Sequence, residues 1–80
     1  MNDNDLLRHI SELVAEEHRL LEQESAGETV DPGNQRMHEL EETLDQLWDL
    51  LRQRRARRDM GEDPDEAHVR SKQTVEGYLQ

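Results

Sequence analysis

Cysteine and phenylalanine are absent from this 80-residue chain, which also has a single Trp, a single Tyr and two prolines. The lack of cysteine excludes a disulfide staple and any thiolate metal site. Aromatic and β-branched residues are too few, and the chain too short, for a large β-sandwich or α/β domain. No apolar run approaches 20 residues, so no transmembrane helix and no membrane partner are expected. The first residues, Met1-Asn2-Asp3-Asn4-Asp5, lack the basic start and apolar stretch of a signal peptide, which makes the cytoplasm the expected compartment. Leu, Ile and Val are themselves sparse: sixteen residues, a fifth of the chain. With a net charge of −10, that composition borders on disorder.

The aliphatic residues that exist are concentrated. Twelve of the sixteen fall in residues 6–21 and 40–51. In the first window Leu6, Leu7, Ile10, Leu13, Val14, Leu20 and Leu21 recur at helical spacing, with Glu17 interrupting the stripe. Asp3, Asn4 and Asp5 are candidate caps for that helix. In the second, Met37, Leu40, Leu44, Leu47 and Leu51 step by three and four, the a/d pattern of a packed seam, widened by Trp48 and Leu50. Gly27 suits a helix stop and Asp31-Pro32 a turn or cap. The pattern predicts helices over about residues 4–24 and 35–59.

A connection of about ten residues favours an antiparallel hairpin. Folding about residue 30 sets Leu20 by Leu40, Leu13 by Leu47 and Ile10 by Leu51, so the two apolar rows match. The predicted fold class is all-α: a two-helix hairpin over residues 1–60, then a capping turn and tail over 61–80. Gly61 ends the second helix. Asp63-Pro64-Asp65-Glu66 supplies an N-cap, a first-turn proline and a capping acid, which predicts a short helical turn through Ala67–Val69. The end of the chain, Thr74 to Gln80, carries Val75, Tyr78 and Leu79 as apolar residues that either dock or stay loose.

Two helices bury only one side of each stripe, so an uncrosslinked hairpin is marginal. A second copy could cover the remaining apolar edges, Trp48 included, as a two-fold four-helix bundle. A homodimer is the expected partner state, and a different protein partner could serve the same purpose.

Five of the ten basic residues sit in Arg52-Gln53-Arg54-Arg55-Ala56-Arg57-Arg58. Arginine forks match phosphate oxygens, so one reading is a nucleic-acid or nucleoprotein accessory factor. Against it, the overall charge repels a polyanion and no aromatics are interleaved to stack bases. The structural reading places this helix end beside Asp3 and Asp5, with the stems of Arg54 and Arg58 continuing the seam. His18, Glu22, His38 and Glu42 could approach one another in the hairpin, but the Glu-x-x-His element of di-metal bundles is missing, and no metal is assigned. Ser11, Ser25 and Ser71 have no evident base and orienting acid, and a two-helix body lacks volume for a substrate pocket. The expectation is a non-enzyme with no cofactor and no small-molecule substrate. The residues assigned to partner contact are Trp48, Arg52, Arg54, Arg55, Arg57, Arg58, Tyr78 and Leu79.

Glu16-Glu17-His18-Arg19-Leu20, the block from Leu44 through Trp48 to Arg58, Gly61 to Ala67, and the closing Thr74-Val75-Glu76-Gly77-Tyr78-Leu79 together resemble the short bacterial proteins called domain of unknown function 2630. The resemblance runs nearly end to end, and the Trp-to-Arg block is its specific part. Leu47 departs from the pattern, which at that seam site is expected to be more varied and often Cys. The resemblance implies a stand-alone bacterial protein and transfers no activity and no site residue.

Overall fold

The computed structural model describes residues 1–25 and 35–78. The Gly27 stop, the Asp31-Pro32 turn and Leu79 lie outside the described residues. Among those described, the elements are α1 (Asp3–Ser25), α2 (Gln35–Asp59), a 3₁₀ turn (Pro64–Glu66) and α3 (Lys72–Tyr78), with no strand.

Asn2, rather than Asp3, Asn4 or Asp5, caps α1. Its side-chain Oδ1 accepts from the Asp5 amide at 2.8 Å and its carbonyl accepts from the Leu6 amide. Asp3 and Asp5 are left in the first turn, where the helix dipole favours negative charge. α1 and α2 pack with opposite chain directions: Asp3 near the start of α1 meets Arg54 near the end of α2, and Glu16 meets Arg36. Between these pairs lies the core of Leu6, Ile10, Leu44, Leu47, Leu50 and Leu51, with Leu13, Val14 and Ala67 packed on it. Leu40 is also buried, and Glu17, which interrupts the α1 stripe, is half-buried.

α2 ends in a left-handed residue. Gly61 has φ 74°. The Gly61 amide donates to the Arg58 carbonyl and the Glu62 amide to the Arg57 carbonyl, the paired bonds of a Schellman stop. Asp63 then caps the 3₁₀ turn, accepting from the Asp65 amide at 2.9 Å with Pro64 in the first position. The turn predicted through Ala67–Val69 therefore sits at Pro64–Glu66, and Ala67 is already extended (ψ 143°). Side chains of α2 explain the shift. The His68 carbonyl accepts from Gln53 at 2.8 Å and the Arg70 carbonyl from Gln46 at 2.9 Å, which holds this stretch open while Ala67 reaches the core.

Lys72–Tyr78 form a helix, α3, that the sequence pattern does not predict. Ser71 caps it, its Oγ accepting from the Thr74 amide. Val75, only 2 % exposed, is the anchor that docks α3 on α2. α2 thus carries α1 on one side and the C-terminal segment on another.

Candidate interaction surface

Arg54 is the deepest cation of the arginine block, 6 % exposed. Its Nε donates to Asp3 Oδ1 at 2.6 Å. Its Nη1 donates to Asp65 Oδ1 at 3.0 Å and to the Pro64 carbonyl. Arg58 donates to the other Asp3 oxygen at 2.8 Å. These two bonds, Arg54 first, hold the Asp3 carboxyl below its ordinary value, and the bond from Asp3 raises Arg54 further. Arg57 pairs with Glu62 at 3.0 Å and reaches Glu66 at 3.5 Å. Three of the five arginines therefore engage acids of their own chain, tying the start of α1 and the 3₁₀ turn to the end of α2. Asp5, also expected beside the block, lies 3.9 Å from Arg8 and has no ion pair with the block among the described residues. Arg52 and Arg55 are exposed and have no ion pair among the described residues.

A second network fastens the C-terminal segment. Gln46, Asp49 and Gln53 are spaced three and four apart, so they form one stripe of α2. Asp49, 6 % exposed, accepts from Gln53 at 2.9 Å and lies 3.6 Å from Arg70 Nε. Arg70 in turn donates to the Tyr78 hydroxyl at 2.8 Å, with its guanidinium 5.6 Å from the ring centroid. Tyr78 is thus held by a residue of its own segment while its ring stays 62 % exposed. Sequence reasoning passed over Asp49 and Arg70. An acid on a helix of many acids carries no mark of burial until the tail folds across it.

Next to this stripe, Glu76 of α3 comes against Asp45, with Glu42 and His38 beyond. Burial, then the Asp45 carboxyl and the charge of Glu42, push the Glu76 carboxyl up, partly offset by His38. His38 lies 3.5 Å from Glu42, whereas His18 and Glu22 are exposed on α1. Among the described residues no three His, Asp or Glu side chains converge as metal ligands would. A surface groove of about 330 Å³ is lined by Gln53, Ala56, Arg57, Met60, Glu62 and Arg70. That lining contains no hydroxyl or thiol nucleophile.

The remaining surface is ordered by the seam itself. With Met37, Leu44 and Leu51 as a positions and Leu40, Leu47 and Arg54 as d, each α2 turn has a g flank before a and an e flank after d. On α1, Ile10 and Glu17 are a, and Leu6, Leu13 and Leu20 are d. In an antiparallel pair g runs along g and e along e. The two-pronged bond from Arg36 to Glu16, both contacts 2.9 Å, joins one g residue to another. Leu50, also g, is buried close to Ala67 and the 3₁₀ turn. The other flank is Leu7, Val14 and Leu21 on α1 and Glu41, Trp48 and Arg55 on α2. Leu7 (38 % exposed), Leu21 (47 %) and Trp48 (39 %) are the large exposed apolar residues of the two long helices, and all three fall there. Gln46, Asp49 and Gln53, which hold the C-terminal segment, lie about 100° or more around α2 from Trp48.

These features define a small all-α protein organised by one central helix, with an ion network around the buried Arg54 at one end and an apolar flank left open. The chain belongs to the family described as "Protein of unknown function (DUF2630)", whose model matches residues 2–80. It is 49% identical over 77 residues to the uncharacterized protein Rv0898c of Mycobacterium tuberculosis (strain ATCC 25618 / H37Rv). The same identity relates it to the uncharacterized protein Mb0922c of Mycobacterium bovis. In each case the match covers 95% of this chain and 88% of the relative. No solved structure matches the chain. Among the described residues no helix is long and apolar enough to cross a membrane.

Proposed function

We propose that this protein is a non-catalytic interaction module that works as a homodimer, two antiparallel helical hairpins joined as a four-helix bundle. The observation that carries the reading is the open flank of Leu7, Leu21 and Trp48, with the half-buried Val14 between them. The core residues of both helices are satisfied within the chain, and the C-terminal segment covers a different side of α2. An apolar row left along one side of a thin helical pair is the surface that a further helical layer buries. A flank about 35 Å long and two helices wide offers roughly 700 Å², close to the ~800 Å² per partner of a stable interface. Sedimentation equilibrium tests the reading: the expected mass is twice 9.5 kDa, and a single-copy species at high micromolar concentration would sink it.

The nucleic-acid reading retains only Arg52 and Arg55, since Arg54, Arg57 and Arg58 engage internal carboxylates. The two arginines of the block without an ion pair among the described residues, on a chain of charge −10, give weak phosphate attraction, so protein contact is the better use of this face.

A further inference from the structure

Resting on that reading, we infer that the second copy docks with its α2 antiparallel to the first across a two-fold axis at Trp48, pairing Glu41 of each copy with Arg55 of the other. The placement of charge carries the inference. Glu41, Trp48 and Arg55 stand seven residues apart on the open flank, so they form one line along α2. Glu41 and Arg55 are equidistant from Trp48, about 10 Å on either side. A two-fold axis through Trp48 that reverses the helix direction brings the acid of one copy onto the base of the other, twice. A parallel arrangement would set acid on acid and base on base.

Both side chains are exposed, and neither has an ion-pair partner among the described residues. Their neighbours on the seam, Leu40 and Arg54, are buried and engaged. The line is therefore self-complementary, the condition an isologous interface must meet. Trp48 at the axis supplies the apolar centre, with Leu7 and Val14 of α1 beside it. The charges at its ends select orientation rather than supply most of the affinity.

The experiment is charge reversal on the full chain, read by sedimentation, with circular dichroism confirming helix content. Glu41→Arg and Arg55→Glu should each weaken self-association about tenfold or more, because two attractive pairs per dimer become repulsive. The double reversal Glu41→Arg with Arg55→Glu should restore it. An equimolar mixture of the two single variants should associate better than either alone. If both single variants dimerise like the wild type, or the double variant stays as weak as the singles, this axis is wrong while self-association stands. If the wild type is a single copy throughout, the dimer reading itself fails and this inference falls with it. A wild-type chain that shields Trp48 only on addition of a different purified protein would overturn it as well.

Discussion

Arg54 donates to Asp3 at 2.6 Å although 51 residues separate them. That bond closes the two long helices at one end. Because Arg54 is buried, its replacement leaves carboxylates of Asp3 and Asp65 without their shared cation. Arg54→Ala should lower unfolding free energy by about 1–2 kcal/mol, since Asp65 is exposed and Asp3 keeps its bond from Arg58. Arg54→Lys should lose less but still register, since an ammonium cannot reproduce the three-way fork. Urea denaturation measures both, and an unchanged midpoint for Arg54→Ala would show that the network contributes no net stability.

Acid should act through Asp3 and Glu76 in opposite senses. The Asp3 carboxyl lies below its ordinary value of 3.8 in the folded chain because Arg54 and Arg58 hydrogen-bond it. Its contribution is present above that ordinary value and fades as pH falls through the lower folded one. Glu76 lies above its ordinary value of 4.5 because burial and Asp45 disfavour its charge. Its contribution is full below that ordinary value and is lost as pH rises through the folded one. Asp3→Asn should flatten the acid limb of stability against pH. Glu76→Gln should raise the pH 7 midpoint and leave pH 3 nearly untouched. Midpoints collected from pH 2 to 7 for the three proteins decide this.

The two described glycines should respond oppositely to alanine. Gly61 sits at φ 74°, where a Cβ is strained whatever the space, so Gly61→Ala should cost about 1–2 kcal/mol. Gly77 lies within α3 with nothing near the added Cβ. Gly77→Ala should stabilise α3 by roughly 0.5–1 kcal/mol, read as slower amide exchange at Val75.

What was legible in the sequence was what repeats. The seam of Leu40, Leu44, Leu47 and Leu51 declares a helix and its buried side, and the matching row in Leu6, Ile10 and Leu13 declares what it packs on. The hairpin register sets Arg54 and Arg58, which continue that seam, near Asp3. α3 repeats nothing: one buried residue, Val75, in a seven-residue helix leaves no period to read. Its register comes from polar partners on α2, namely Gln46, Asp49 and Gln53, whose identity as partners exists only once the chain has turned at Gly61 and Pro64. The open flank shows the converse. Leu7, Val14 and Leu21 read as part of the α1 stripe and Trp48 as an edge of the α2 seam; the side they share follows from the Arg36–Glu16 bond on the other flank.

Salt should separate the two readings of the open face. Each copy carries a charge of −10, so two copies repel over distances that about 150 mM salt screens to ~8 Å. Glu41–Arg55 pairs are screened too, but they are few beside the net repulsion and act at contact. Self-association should therefore tighten between about 10 and 150 mM salt, while phosphate binding through Arg52 and Arg55 weakens steeply over that range. Trp48 reports on both, being the sole indole in the chain and 39 % exposed in the single copy. On self-association its emission should shift to the blue with rising protein concentration, and the half-point should fall as salt is added. A shift seen only with added oligonucleotide, and abolished at 150 mM salt, would instead favour the arginines as a phosphate surface.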